Sequence, residues 1–124
     1  MAAMDLELKK AFTEMQINKI ETAKKLKMLD MQTDVFKNSK QKYSITEREI
    51  STYDDSTRIY SSIGRMFVLS NVDEMQKELK SKQDKCETLI TQLEEKKKFL
   101  VKNLQEQEDS LRELVQQKKA DSKQ

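Results

Sequence analysis

The chain has no proline, and its one glycine, Gly64, lies near the middle of 124 residues. Proline and glycine interrupt helices most strongly, so the long segments on either side of Gly64 contain none of the usual breaks. Charged residues make up 37% of the sequence and aromatic residues 6%, a balance typical of long helices and coiled coils. Apolar side chains this thinly spread do not fill a compact core. We therefore expect a mostly α protein whose helices pack along elongated seams.

Apolar residues recur at alternating steps of three and four in two segments, which is the spacing of a coiled-coil seam. Residues 6–42 and residues 72–118 are each predicted to form one long helix, and residues 119–124 a flexible tail. The first seam runs through Leu8, Phe12, Met15, Lys19, Thr22, Leu26, Leu29, Thr33 and Phe36. The second seam runs through Val72, Met75, Leu79, Cys86, Leu89, Leu93, Leu100, Leu104, Leu111 and Leu114. Between Leu89 and Leu100 the steps become four, four and three, which predicts a local unwinding of the supercoil.

The two arms are predicted to pack on each other antiparallel, because amphipathic helices gain most of their stability from packing. Counting outward from the reversal places Leu8 opposite residues 104–111. Ser70 or Asn71 is the predicted cap of the second arm. In the connection, the capping-box spacing of a threonine and a glutamate predicts a separate short helix over residues 46–54.

Residues 57–70 differ from both arms, because they are rich in Ile, Tyr, Phe and Val and are divided by Gly64 into two short runs. This pattern predicts a β-hairpin with Gly64 and Arg65 in a type II′ turn, whose first position requires a positive φ. The predicted cross-strand pairing begins with Ile63 opposite Met66. Apolar residues fall on both faces of this hairpin, with Ile59, Ile63, Met66 and Val68 on one face and Tyr60, Phe67 and Leu69 on the other.

Two apolar faces make this hairpin poorly suited to water, since an isolated two-stranded hairpin is marginally stable and leaves its edges unpaired. The favoured interpretation is that other chains complete a sheet or barrel around it, so that the hairpin is an assembly element. The alternative is a local plug that folds against the helix ends of its own chain.

The charge pattern and the residue inventory argue against several classes of function. The 24 basic residues are interleaved with 22 acidic ones, which indicates solvated helix faces and no nucleic-acid site. A leucine column in the second arm resembles a DNA-binding zipper, but the segment before it is not basic. With no histidine, one cysteine and no phosphate-binding loop, we expect no enzyme activity, no cofactor and no metal site. No apolar run has the length of a membrane span or the form of a signal peptide, so we expect a cytoplasmic protein.

The order helix, hairpin, helix resembles the β-class subunits of prefoldin, with LELKKAFTEMQ at the start and YSSIGRMFVLSNVDEMQKEL in the middle. The resemblance covers essentially the whole chain, and the IGRMFVLS hairpin running directly into the second arm is its most specific part. The chain has room for one hairpin, whereas α-class subunits carry two. The resemblance implies a single prefoldin-like domain over residues 1–124, with an antiparallel coiled coil joined by the short helix and the hairpin.

The resemblance also implies partners and site residues. Prefoldin is a hexamer, so the partners would be two α-class and three further β-class subunits. The complex would hold unfolded proteins, including actin and tubulin, without ATP and pass them to the cytosolic chaperonin. The residues implied to build the shared β-barrel are Ile59, Tyr60, Ile63, Gly64, Met66, Phe67, Val68 and Leu69. The residues implied to form client-binding tips are Leu6, Leu8, Phe12, Leu104, Leu111, Leu114 and Val115.

Two further alternatives remain open at this point. The chain could be a structural coiled-coil adaptor or tether that dimerises through its arms and holds no clients. The residues assigned to the tips could also do no more than complete the coiled-coil seam.

Overall fold

The computed structural model describes residues 2–54 and 56–122. In chain order its elements are α1 (Ala2–Ser51), β1 (Ile59–Ile63), β2 (Met66–Ser70) and α2 (Val72–Ser122). Two long helices and a single antiparallel hairpin confirm the predicted mostly α fold class. The chain divides into two compact units, of which unit 1 comprises Met1–Met31 with Glu94–Gln124 and unit 2 comprises Gln32–Leu93.

The structure differs from the prediction in the connection after the first arm. The predicted arm over residues 6–42 and residues 46–51 of the predicted short helix are parts of one continuous helix, α1, and residues 52–54 follow its end. Thr46 does not cap a helix there, because its Oγ1 donates a hydrogen bond to the backbone carbonyl of Lys42 at 2.8 Å. A threonine inside a helix commonly makes this bond. Since residues 43–45 contain no glycine or proline, the helix passes through them, and the separate short helix does not exist.

α1 ends without a glycine cap. The hydroxyls of Ser51 and Thr52 donate hydrogen bonds to the backbone carbonyls of Arg48 and Glu49, each at 2.6 Å. These bonds satisfy two of the acceptors that a helix end leaves without an intrahelical partner. Residues 52–58 then lead from α1 to β1.

α2 begins one residue after β2 ends, since only Asn71 separates Ser70 from Val72. The side-chain oxygen of Asn71 accepts a hydrogen bond from the backbone N–H of Glu74 at 2.7 Å, and its carbonyl accepts one from Met75 at 3.1 Å. This is the geometry of a helix N-cap. Of the two predicted caps, Asn71 is therefore the one used.

In unit 2 the segments of α1 and α2 run antiparallel. Lys40 forms an ion pair with Glu87, and Glu47, further along α1, accepts a hydrogen bond from Gln83. The residue numbers of the partners on α2 therefore fall as those on α1 rise. The buried side chains of this unit are Thr33, Ile50, Leu79, Cys86, Ile90 and Leu93. Full burial of a large aliphatic side chain contributes about 1.5–3 kcal/mol. A single narrow seam thus supplies most of the apolar burial in the helical part of unit 2.

The seam of α2 passes through Ile90 and not through Leu89. Ile90 is 5% exposed, whereas Leu89 is 39% exposed. With Ile90 in place, the buried positions from Cys86 to Leu93 follow at steps of four and three, which is the regular coiled-coil alternation. The stutter predicted between Leu89 and Leu100 is therefore wrong, because it arose from choosing the other of two adjacent apolar residues.

Unit 1 is also antiparallel, and its register differs from the predicted one. Glu7 pairs with Lys118 at 2.9 Å, so Leu8 lies near the level of residue 118 and not opposite residues 104–111. The error follows from the missed continuity of α1, since counting outward from residue 42 instead of residue 51 displaces every pair. Residues 119–122 of the predicted tail belong to α2, and residues 123–124 lie outside the described part of the chain.

The α1 seam of unit 1 contains Ala11 and Asn18 where the sequence predicted Phe12 and Lys19. Phe12 and Lys19 are exposed, and the more enclosed positions on this part of α1 are Leu8, Ala11, Met15, Asn18, Thr22, Leu26 and Leu29. Asn18 donates a hydrogen bond from Nδ2 to the side-chain oxygen of Gln107 at 3.3 Å. A hydrogen bond between the side-chain amides of Asn18 and Gln107 thus lies beside the apolar contacts of this seam.

Both helices of unit 1 depart from regular alternation at matching places. On α1 the enclosed positions from Asn18 to Leu26 follow at two successive steps of four, and on α2 the same is true from Leu100 to Glu108. Two successive steps of four are a stutter, which locally unwinds a coiled coil. Because the helices are antiparallel, the two stutters face each other, and both helices adjust at the same level.

The hairpin has the predicted register, from Ile63 opposite Met66 at the turn to Ile59 opposite Ser70 at the base. Gly64 has a φ of 62°, and among the described residues no other has a positive φ. A type I′ turn requires positive φ at both central residues, whereas a type II′ turn requires it only at the first. The backbone therefore fits the predicted type II′ turn.

Replacing Gly64 with Ala is expected to raise the hydrogen-exchange rate of the cross-strand amides by about tenfold, because a left-handed φ costs a residue with a Cβ about 1–2 kcal/mol. No heavy atom lies within 4 Å of the position that the new Cβ would occupy, so the cost comes from the backbone and not from a clash. Gly64→Asn is the matched control, since asparagine tolerates this conformation better, and it should raise exchange less. An unchanged hydrogen-exchange rate in the Ala variant would contradict the positive φ at position 64.

Candidate assembly surface

The hairpin presents apolar side chains on both of its faces. Side chains alternate between the faces of a strand, and cross-strand partners share a face. We define face A by Ile59, Ile63, Met66 and Val68, and face B by Tyr60, Phe67 and Leu69, as the pairing places them. The division is the one predicted from the sequence.

Face B is uncovered by its own chain. Phe67 is 75% exposed and Leu69 62% exposed, and Tyr60 is also exposed. The residue opposite Phe67 is Ser62, which is too small to cover the ring. An aromatic ring and a leucine this accessible on one strand are the kind of apolar surface that marks an interaction site.

Face A is partly covered at its base only. Ile59 is half-buried, as are the neighbouring Ser61 and Ser70, whereas Ile63 and Met66 near the turn are more than half exposed. A plug folded against its own helix ends would bury at least one face. The exposure of both faces argues against that alternative.

The edges of the hairpin are open as well. The sheet has two strands, and within residues 2–54 and 56–122 no third strand pairs with either β1 or β2. Each outer edge therefore offers a row of backbone donors and acceptors to a strand from elsewhere. Open edges together with apolar faces suit the hairpin to extension by strands of other chains.

The residues predicted to form tips are only partly brought together. The outer end of unit 1 is the end at which the first turns of α1 lie beside the last turns of α2, as the ion pair of Glu7 with Lys118 shows. Leu6 and Phe12 are exposed at this end, and Leu8 is half-buried. Phe12, Leu111 and Val115 line one open groove of about 580 Å³ between the helices. Leu114 lines an adjacent groove, which shares Leu111 with the first.

Leu104 does not belong to this end. It is half-buried and lies on α2 between Lys97, which pairs with Asp30, and Glu108, which pairs with Lys19 at 3.2 Å. The corrected register thus separates Leu104 from the other residues predicted to form tips.

Several enclosed or clustered residues were missed by the sequence reasoning. Ile50 and Ile90 are buried seam residues, and continuing the alternation of three and four from Cys86 would have found Ile90. The ammonium group of Lys82 lies 5.5 Å from the centre of the Tyr43 ring. No local sequence pattern predicts this cation–π contact.

The described residues form neither a metal site nor a membrane-spanning helix. Among the residues that the structure describes, no group of three or more His, Cys, Asp or Glu side chains lies close enough to hold a metal ion. No helix in the described ranges combines the length and the apolar character that crossing a membrane requires.

Comparison with known proteins shows which proteins this chain is similar to. Residues 5–118 match the family model described as prefoldin subunit. Prefoldin subunit 1 of Homo sapiens is 40% identical over 119 residues, which cover 96% of this chain and 98% of the human protein. Prefoldin subunit 1 of Arabidopsis thaliana is 34% identical over 107 residues, covering 86% of this chain and 84% of the plant protein.

A solved structure shows the same fold. The prefoldin beta subunit from Thermococcus strain KS-1 superposes with a TM-score of 0.71 at 19% identity, covering 86% of this chain and 90% of the archaeal chain. The family model spans most of the sequence, and the two relatives align over most of their own lengths. The chain, with its uncovered hairpin between two long helices, therefore belongs to the prefoldin subunit family.

Proposed function

We propose that this chain is a β-class subunit of a hetero-hexameric prefoldin, assembled with two α-class and three further β-class subunits. The observation that carries the proposal is the hairpin, which exposes both apolar faces and both edges. Pairing with strands of neighbouring subunits would satisfy the edges, and packing in a barrel would remove the faces from water. Membership of the prefoldin family supports the same assignment.

The proposed activity is capture of unfolded proteins at the outer end of unit 1. Leu6 and Phe12 are exposed there and contribute little to the packing of the seam. The groove beside Leu111 and Val115 adds further apolar surface. Each contact is weak, but several subunits that engage one client gain by effective concentration. Clients would include actin and tubulin, and release to the cytosolic chaperonin would need no ATP, because the contacts are apolar and reversible.

The proposed location of the complex is the cytoplasm.

The assembly proposal is tested by the native mass and subunit composition of the complex that a tagged copy captures from cytosol. Six small coiled-coil subunits of two classes are expected. A homodimer, or a pair with one unrelated partner, would contradict the proposal and favour a coiled-coil adaptor that holds no clients.

The capture proposal predicts that the double change Leu6→Ser and Phe12→Ser weakens suppression of client aggregation several-fold and leaves assembly intact. Both side chains are exposed, so their loss removes little packing from the seam. The measurement is light scattering of denatured actin diluted into the purified complex, with the mass of the complex checked in parallel.

The matched control for this experiment is the double change Val35→Ser and Ile45→Ser in unit 2. These side chains are 60% and 55% exposed, so the control removes similarly accessible apolar surface from α1 outside the outer end. Aggregation that rises equally in both variants would reject a specific role for the outer end.

A further inference from the structure

The part of unit 1 that residues 24–30 and 96–102 form carries a concentrated positive charge. Residues 24–30 and 96–102 together contain seven lysines and one aspartate, whereas the whole chain has a net charge of only +2. The ion pair of Asp30 with Lys97 places these two segments side by side. The remainder of the chain is therefore net acidic, and the basic zone is local.

The same zone contains an open apolar groove of about 260 Å³ between the helices. The residues that line it are Lys25, Met28, Leu29, Lys96, Phe99 and Leu100. Met28 is 62% exposed and Phe99 67% exposed, while Leu29 and Leu100 occupy the seam beneath them. The groove thus has more apolar surface than the packing of α1 on α2 uses.

The arrangement of charge around this groove defines what fits it. Lys25 on α1 and Lys96 on α2 are both exposed, so each side of the groove carries an ammonium group. A segment that places apolar side chains in the groove and carboxylates along its flanks would match both features. Amphipathic helices dock in grooves in this way, and charge complementarity selects among them.

Other occupants match fewer of these features. A second copy of the chain docked on the same patch would set lysines against lysines, as a two-fold interface requires. A flat anionic membrane cannot bring apolar groups into a groove between two helices. Duplex nucleic acid would use the lysines but would leave Met28 and Phe99 without a role.

We propose that this groove, with Lys25 and Lys96 on its two sides and Met28 and Phe99 on its surface, binds an acidic amphipathic polypeptide segment. The proposal goes beyond capture at the outer end of unit 1 and does not depend on it, because the groove shares no residue with that end. Where the chain acts on unfolded proteins, the groove would favour clients that combine acidic and apolar residues.

The test uses the full-length chain, alone and in the complex that it forms, with a fluorescent peptide as the probe. The peptide carries leucine and phenylalanine at helical spacing and glutamate on both flanks, and a second peptide has every glutamate replaced by glutamine. Anisotropy titration is expected to show about tenfold weaker binding of the glutamine peptide, because it lacks the charge contacts.

Variants then locate the binding. The double change Lys25→Glu and Lys96→Glu is expected to weaken binding of the acidic peptide about tenfold or more, and Phe99→Ser several-fold. The control is the double change Lys77→Glu and Lys80→Glu, which alters the charge equally at exposed positions of α2 in unit 2. It should change the affinity less than about twofold. Circular dichroism of each variant checks that its helix content is unchanged.

Three results would overturn the proposal. Equal losses in the groove variant and the unit 2 control would show that the peptide follows net charge alone. Full binding by the Phe99→Ser variant would remove the apolar groove from the interaction. Binding of phosphatidylserine vesicles or duplex DNA, with no binding of either peptide, would assign the lysines to a different class of partner.

Discussion

Replacing Phe67 with Asp is expected to abolish assembly into the hetero-oligomer, while the separate chain keeps its helix content. Phe67 has the most exposed ring of face B and would be enclosed once neighbouring strands cover that face. Burial of an unpaired carboxylate costs several kcal/mol in addition to the lost apolar contact, which lowers the association constant by about 100-fold or more. Native mass spectrometry of the reconstituted complex measures the result.

Arg65→Asp is the matched control for this change. It places the same side chain two residues away, in the turn, where the chain is exposed and an aspartate is well tolerated. The control should assemble as the wild type does. A full-sized complex that contains the Phe67→Asp chain would reject the assembly role of the hairpin.

Replacing Ile90 with Ala is expected to destabilise the chain far more than replacing its neighbour Leu89. Ile90 is 5% exposed in the seam of unit 2, so its truncation leaves a cavity in the one strip of packing that holds these helices together. Such changes cost about 2–5 kcal/mol. Leu89 is 39% exposed, and the loss at that position should be about 1 kcal/mol or less. Urea unfolding followed by circular dichroism measures both.

This pair of variants compares two registers of the same helix with adjacent, isomeric side chains. Intrinsic helix propensity and total apolar content are nearly the same in the two, so the difference in unfolding free energy reports the position in the seam. An equal loss of unfolding free energy in the two variants, or a larger loss for Leu89→Ala, would support the register predicted from the sequence.

The hairpin was predictable to the level of individual pairs, because its information is local. Gly64 determines where the turn lies, and the alternation of side chains then assigns Ile63 to Met66 and Tyr60 to Leu69. The cap of α2 was predictable to within two adjacent residues, Ser70 or Asn71, for the same reason. In both cases the residues that decide the structure lie within a few positions of one another.

The seam was predictable as a type of packing but not in its register. Thr46 and Glu49 satisfy the local pattern of a helix start, but tertiary context decides whether a helix is already in progress at that point. This one error displaced the partner of Leu8 by about two turns or more of α2, and it placed Leu104 wrongly at the outer end. The groove at Met28 and Phe99 was beyond prediction, because it requires the correct register between residues far apart in sequence.

The single residue between β2 and α2 makes the two connections of the hairpin unequal. Asn71 joins the strand to the helix with its side chain and its carbonyl both occupied, whereas seven positions separate α1 from β1. An insertion before β1 should be absorbed as a longer loop, at a cost of only a few tenths of a kcal/mol for each added residue. An insertion at Asn71 would remove the cap and let the strand turn independently of α2. Sequence length in this part of the family should accordingly vary before the hairpin and hold constant after it, and a fluorescent domain or an affinity tag grafted into residues 52–58 should leave the hairpin usable.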